Sequence, residues 1–439
     1  VRKVLTMEDE SKTIGMIGIG GSGMRGLAYL LAKAGNHVIG TDDQYENLTT
    51  ELKNEPYTLM NGQSFTVAIK DCDSVIYTDA IKENNPLVAI AKQNNITVSG
   101  YNQALGELSQ GYTTIAIAGT HGKSTTTAML SQILVDNKND PTVIIGAGVP
   151  QWNNRHAREG KGEYMIVEAD EYRDHFLTLR PKYIIITSIE HDHPDYFPGL
   201  EDTLNSFQQF LNNLEPEGKV ITLQSITDKY KSLQWPDGTL SINDRLSENI
   251  KTTIPGEHMR LNALLAINLA DQLGIERDSS MTAISNFQGI SRRFEVLGEY
   301  EGMEIVSDYG HHPTEIKETL KATKEKYGEK RILTIFEGHT AGRLDKFKDQ
   351  FVKALSKNNE LIIAPTYAPK GRNDDNITEQ ALSNIERDVK NNGIEVTMIK
   401  NYKQLPLILA SKETNYDVVI GFSAGNLDRE LRKIVNPEN

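Results

Sequence analysis

At 439 residues the chain is longer than one typical domain, and its length predicts roughly three. Its 47 Lys and Arg against 60 Asp and Glu leave a net charge of −13. That balance argues against broad binding to nucleic acid or an anionic membrane, while a small anion can still be held by local N–H groups and a few basic side chains. Cys72 is the only cysteine, so no intramolecular disulfide can form, as expected in a reducing cytosol. No apolar run approaches the roughly 18 residues of a membrane span, and the opening VRKVLTMEDESKT lacks a signal-peptide core. These features predict a cytoplasmic globular protein with neither a membrane nor a nucleic-acid partner.

The first predicted unit is KTIGMIGIGGSGMRGLAYLLAKAGNHVIGTDD. A strand runs to Ile19, Gly18, Gly20 and Gly23 fit G-x-G-x-x-G, and Leu27 to Ala34 read as a helix. A second strand brings in Asp42 about 20 residues downstream, where a dinucleotide fold keeps its ribose-binding acid. Alone, this segment fits an NAD-dependent dehydrogenase. The glycines physically require only a diphosphate at a helix N-terminus, which a UDP-sugar also carries. A tight strand–helix turn with no ligand is the plainer alternative.

Next comes IAIAGTHGKSTTTAML, in which an apolar strand passes through Gly119-Thr120-His121-Gly122-Lys123-Ser124 into a helix. Ile117 stands where the general phosphate-loop pattern has glycine. The physics still fits: N–H groups converge on an anion at the helix start, Lys123 reaches the outer phosphates and Ser124 can ligate Mg²⁺. A dehydrogenase has no use for a Lys-Ser phosphate loop. An ATP-driven enzyme acting on a nucleotide-linked substrate uses both loops.

Two acidic clusters follow apolar runs. MIVEADEYRDHF carries Glu168, Asp170 and Glu171, and YIIITSIEHDHPDYF carries Glu190, His191, Asp192, His193 and Asp195. Buried parallel strands with ligands at their carboxyl ends produce this pattern. Carboxylates there suit Mg²⁺. The His-x-His pair also permits zinc, and a solvated charged loop remains open. Further on, His258 and Asn262 are four apart and share one helix face, where they could grip a base edge or simply cap the helix. Arg292 and Arg293 precede a hairpin with Gly302 in its turn, and its second strand ends in Asp308-Tyr309-Gly310-His311-His312-Pro313. RILTIFEGHTAGRLDKF adds a strand ending in Glu337, His339 and Arg343, and YDVVIGFSAGNL a late strand with Gly421 and Ser423 in its turn. This alternation predicts a further parallel α/β unit.

The chain resembles the Mur ligase family over essentially its whole length. The central loop looks like that family's A-G-T-x-G-K-[ST]-T, which accounts for Ile117, and GIGGSGMRGLA, TDAIKENNP, EADEYRDHF and SDYGHHPTEI complete the match. The resemblance implies a three-domain α/β architecture: a Rossmann-like domain over 1–107, a P-loop ATPase-like domain over 108–294 and a Rossmann-like domain over 295–439. It implies ATP-dependent addition of L-alanine to the lactyl carboxylate of UDP-N-acetylmuramate through an acyl phosphate, in peptidoglycan precursor synthesis. Attachment of a whole peptide to the same sugar is the alternative, and a monomer or weak homodimer is expected.

Residue by residue, the resemblance implies that Gly20, Gly21, Ser22, Gly23, Asp42 and Asp79 hold the UDP-sugar. Gly119, Thr120, His121, Gly122, Lys123, Ser124 and Thr125 hold ATP, with His258 and Asn262 at the adenine and Arg293 at the phosphates. Ser124, Glu168 and His193 take Mg²⁺, with Mn²⁺ tolerated. Tyr309, His311 and Arg343 receive the amino acid, and Lys123, His311 and Arg343 act in catalysis. The chain departs from the family at Asp79 (more often Ser), at Met259 (more often Asn) and in FEGHTAGR, where F-Q-P-H-x-x-x-R is usual. No lysine lies between Lys182 and Lys219, so the carbamylated lysine of some sister ligases has no counterpart.

Overall fold

The computed structural model describes residues 11–82, 84–357, 360–366 and 375–437. Glu83, within TDAIKENNP, lies outside them. The fold is α/β, and the chain forms two compact units that are discontinuous in sequence. The first comprises residues up to Ile189 with Leu204–Leu246 and Asn262–Phe287; the second comprises Glu190–Thr203, Ser247–Leu261 and the chain from Gln288 onward. Among the described residues no helix is long and apolar enough to cross a membrane.

The first unit holds two sheets. Strands β1 (Thr13–Ile17), β2 (His37–Thr41), β3 (Thr58–Leu59), β4 (Ser74–Tyr77) and β5 (Thr97–Gly100) form a parallel sheet in the order β3-β2-β1-β4-β5. The order reverses between β1 and β4, and the crevice at the carboxyl ends of such strands is where this fold binds ligands. The glycine loop leaves β1 at that point. The helix after it spans Ser22–Lys33 and so starts earlier than the predicted Leu27, because Gly21 serves as its N-cap. Ile17, Ile39, Phe65, Val75 and Val88 form a core on this sheet.

The second sheet consists of β6 (Thr113–Ala118), β7 (Thr142–Val149), β8 (Arg155–Arg158), β9 (Tyr164–Ala169), β10 (Tyr183–Ile186), β11 (Lys219–Leu223) and β12 (Thr239–Ile242). Its order is β12-β11-β10-β6-β9-β7-β8, with only the β7–β8 pair antiparallel. Ile115 to Ala118, Met165 to Val167 and Ile184 to Ile186 are buried throughout, as parallel strands covered on both faces require. Because β9 and β10 flank β6, the loops leaving these three strands converge on one edge.

In the second unit β13 (Glu295–Tyr300), β14 (Met303–Asp308), β15 (Ile332–Glu337), β16 (Glu360–Ala364), β17 (Glu395–Met398) and β18 (Val418–Phe422) are ordered β13-β14-β18-β15-β16-β17. Only the β13–β14 hairpin is antiparallel; Glu301 and Gly302 have φ of +49° and +74° in its turn. The two-residue period of a strand divides the core. Val306, Phe336, Ile363 and Ile420 pack on one face with Ile316, Phe351 and Leu382. Ile305, Ile335, Ile362 and Val419 pack on the other with Leu405, Leu427 and Leu431.

Candidate functional site

The glycine loop after β1 is tight for steric reasons. A Cβ on Gly20 would lie 2.5 Å from Leu48 Cδ1, and one on Gly23 would lie 2.6 Å from the Tyr101 ring. Gly21 and Ser22 open the following helix, whose first N–H groups have no intrahelical acceptor and can face an anion. Asp42 lies beside this loop. Its Oδ2 accepts the Gly20 N–H at 3.0 Å and its Oδ1 the Gln44 N–H at 2.9 Å, so the carboxylate braces the loop. Asp79, just past β4, accepts from Asn102 Nδ2 at 2.6 Å and lies 3.2 Å from His175 Nε2. Arg173 donates to the Asp79 carbonyl at 3.2 Å. The sequence reading assigned no role to Asn102, Arg173 or His175, although the last two sit in EADEYRDHF.

The phosphate loop is fixed by its own glycines and by the end of β10. Gly119 (φ +138°) could carry no side chain, since a Cβ would lie 2.1 Å from Thr187 Oγ1 and 2.8 Å from Ser188 N. Gly122 (φ +85°) lies against Asn262, whose Oδ1 would be 2.5 Å from a Cβ. The N–H groups of Thr120 and His121 donate to Ser188 O (3.1 Å) and Ser188 Oγ (2.8 Å). Those two residues therefore shape the loop with their N–H groups. The N–H groups of Gly122, Lys123, Ser124 and Thr125 at the start of helix Lys123–Asp136 have no intrahelical acceptor and can face an anion.

Lys123 Nζ donates to Glu171 Oε2 and Gly119 O, both at 2.7 Å, and Asp170 is 4.0 Å away. Burial opposes its charge, but the Glu171 carboxylate prevails and holds the ammonium pKa above its ordinary value. Ser124 Oγ donates to Glu168 Oε1 at 2.9 Å, and the Gly146 N–H donates to Glu168 Oε2 at 2.6 Å. Two of the three residues expected at Mg²⁺, Ser124 and Glu168, are thus hydrogen-bonded although 44 residues separate them. Glu171 is 2 % exposed and its Oε1 has no hydrogen-bond partner among the described residues. A hydroxyl and carboxylates of this kind are a hard-oxygen donor set that fits Mg²⁺. His193, with φ of +53°, belongs to the second unit, as does His258. His258 and Asn262 lie one turn apart on helix Glu257–Gln272, as their spacing predicted. Burial pushes the His258 pKa down to about 4, and its Nδ1 has no hydrogen-bond partner among the described residues.

In the second unit the polar groups gather at the carboxyl ends of β14 and β15. His312 caps helix Pro313–Tyr327, and Glu315 completes the capping box, its Oε2 accepting the N–H groups of His311 (3.1 Å) and His312 (3.3 Å). The other Glu315 oxygen accepts from Arg293 at 3.2 Å, so one side chain caps the helix and orients the arginine. The Arg292 and Arg293 guanidinium groups lie 4.8 Å and 5.0 Å from the centre of the Tyr309 ring. His311 packs edge-on against Tyr309 and His339, with centroids 5.1 Å and 5.5 Å apart. Burial, reinforced by the Arg343 charge, holds the His311 pKa well below its ordinary value, so its imidazole is neutral at pH 7. Arg343 is buried and forms a side-on pair with Asp192, Nε to Oδ1 at 2.9 Å and Nη2 to Oδ2 at 3.0 Å, while Nη1 lies 3.0 Å from His339 Nδ1. Asp192 stood in the predicted acidic cluster without a role of its own.

Two glycine loops, each opening a helix, and a cluster of Tyr, His and Arg side chains at the carboxyl ends of β14 and β15 are the equipment of an enzyme that handles phosphorylated ligands. Comparison with known proteins narrows this. Residues 13–113 match the model of the Mur ligase family, catalytic domain; residues 117–237 match the Mur ligase middle domain and residues 292–425 the Mur ligase, glutamate ligase domain. A UDP-N-acetylmuramate–L-alanine ligase from Agathobacter rectalis is 33% identical, covering 94% of this chain and 95% of the relative. Among solved structures, a UDP-N-acetylmuramate–alanine ligase from Thermotoga maritima superposes with a TM-score of 0.80 at 24% identity, covering 97% of this chain and 99% of the other. A murein peptide ligase from Psychrobacter arcticus superposes with a TM-score of 0.72 at 22% identity and the same coverage. The chain belongs to the Mur ligase family.

Proposed function

We propose that the chain is an ATP-dependent ligase that joins L-alanine to the lactyl carboxylate of UDP-N-acetylmuramate, a step of peptidoglycan precursor synthesis in the cytoplasm. The 33% identity to an alanine-adding ligase across 94% of the chain carries the choice of substrates. The contact of Ser124 with Glu168 beside Lys123 supports the chemistry. In this reading residues 1–107 hold the UDP-sugar at the Gly20–Gly23 loop, residues 108–294 hold ATP, and residues 295–439 hold the amino acid; the protein acts as a monomer or weak homodimer.

The reaction divides into two balanced steps. A lactyl carboxylate oxygen attacks the γ-phosphorus, its bond to the β–γ bridging oxygen breaks, and ADP departs. The alanine nitrogen, as the neutral amine, then attacks the acyl carbon, the bond from that carbon to the phosphate oxygen breaks, and the proton lost by the nitrogen leaves with the departing phosphate. Mg²⁺ held by Ser124 and Glu168 would neutralise phosphate charge. Lys123, charged throughout, exchanges Glu171 for the phosphoryl oxygens on which negative charge develops. Neutral His311 accepts a hydrogen bond from the alanine nitrogen and orients it, and Arg343 pairs with the alanine carboxylate.

ADP release with UDP-N-acetylmuramate tests this against L-alanine, L-serine, glycine and the peptide that a murein peptide ligase uses. Release that depends on L-alanine is expected. Release with the peptide alone would transfer the assignment to the peptide ligase, and ATP-independent turnover of NADH would overturn the ligase reading.

A further inference from the structure

Arg343 donates two hydrogen bonds to a distant part of the chain. Asp192, 151 residues away in sequence, lies in segment Glu190–Thr203, which follows β10 yet belongs to the second unit. Within that unit the segment is moored at further points. Glu190 Oε2 accepts from Thr314 Oγ1 at 2.8 Å, and the His191 ring lies edge-on to Phe347 with centroids 5.6 Å apart. Both partners of the ion pair are nearly inaccessible, the Arg343 side chain 3% and the Asp192 side chain 7% exposed.

A guanidinium has five N–H groups in a rigid fork. Asp192 takes one from Nε and one from Nη2, and His339 Nδ1 lies against Nη1. Among the described residues, one N–H on Nη1 and one on Nη2 have no contact beyond these. A side-on grip of this kind stops the arginine from rotating about its long axis, and the planar fork suits a second carboxylate only when its orientation is set. We propose that Asp192 is a positioning residue for the amino-acid substrate: it fixes Arg343 side-on so that the remaining N–H groups present themselves to the substrate's α-carboxylate. This rests on the assignment of Arg343 to the alanine carboxylate made above.

The test compares L-alanine with L-alaninamide, which has the same amine and no carboxylate, in initial-rate kinetics of Asp192→Asn. Asparagine keeps the shape but turns one NH₂ towards the guanidinium. The expected result is a KM for L-alanine raised about tenfold or more, with KM for ATP and UDP-N-acetylmuramate within about twofold of the parent. The fall in kcat/KM should be much smaller with L-alaninamide. An unchanged KM for L-alanine, or an equal fall with both amines, would overturn the proposal, since a merely structural role penalises both alike. Should Asp192→Asn not fold, Asp192→Glu keeps the charge and displaces the guanidinium by one methylene, with the same outcomes expected. Arg343→Lys separates the two assignments. If it leaves the KM for alanine unchanged, the reading of Arg343 fails; if it raises that KM while the Asp192 variants do not, the positioning role fails.

Discussion

Replacing Glu337 by Gln should destabilise the second unit. Glu337 ends β15 and is 1 % exposed. Its Oε1 accepts the Asn426 N–H at 3.0 Å and the Tyr402 hydroxyl. Its Oε2 accepts the N–H groups of Gly425 (3.1 Å) and Leu427 (3.4 Å) and the Ser423 hydroxyl. Five donors thus converge on one carboxylate at the positive end of helix Leu427–Val435. Glutamine offers one oxygen. With that oxygen turned to Gly425 and Leu427, its NH₂ faces the Asn426 N–H; Tyr402 can rotate its hydroxyl to accept, but a backbone N–H cannot. One charge-assisted bond is lost and one buried donor is left unpaired, together roughly 3 kcal/mol. In a domain of this size that corresponds to a drop in melting temperature of roughly 10 °C. Because a multi-unit chain need not melt in one step, amide exchange at Gly425, Asn426 and Leu427 should be followed beside calorimetry. A Glu337→Gln variant with unchanged melting and unchanged protection at Asn426 would refute the reasoning. Tyr402→Phe, which removes a donor that can turn away, should cost far less.

Lys123→Ala should abolish ligation, a loss on the order of 3 kcal/mol or more of transition-state stabilisation, while calorimetric titration with UDP-N-acetylmuramate stays unchanged; loss of sugar binding as well would contradict the separation of the two loops. Glu168→Gln should raise the Mg²⁺ concentration needed for half-maximal activity at saturating ATP, and an unchanged metal curve would leave this carboxylate a mere brace for Ser124 and Gly146. Burial holds the pKa of both His156 and His258 down at about 4, below the roughly 6.5 of an unfolded chain. Between those values the unfolded state binds more protons, so stability is lost as pH falls from about 6.5 to about 4, by up to about 3 kcal/mol per group. Melting curves across that range check the sign, and His156→Gln should flatten them.

What was legible in the sequence is what sterics and burial impose locally. Gly20, Gly23, Gly119 and Gly122 stand where a Cβ would collide with Leu48, Tyr101, Thr187 and Asn262, so the loops announce themselves by residue type. The apolar runs before Glu168 and Glu190 mark strands covered on both faces. The destination of a side chain leaves no such mark. Asp42 lies at the spacing of a ribose-binding acid, and only the fold shows that it also accepts the Gly20 and Gln44 N–H groups. FEGHTAGR departs from the family pattern at Glu337, and only the fold shows that this side chain faces the start of helix Leu427–Val435, a contact across 86 to 90 residues. The same holds for Lys123. Its sequence context specified phosphates, whereas the structure adds Glu171, 48 residues on, as its carboxylate partner. A buried ammonium needs a counter-charge to remain charged. A lysine kept charged for phosphate in a dry loop therefore implies such an acid, and only the fold says that it is Glu171, with Asp170 set 4.0 Å away.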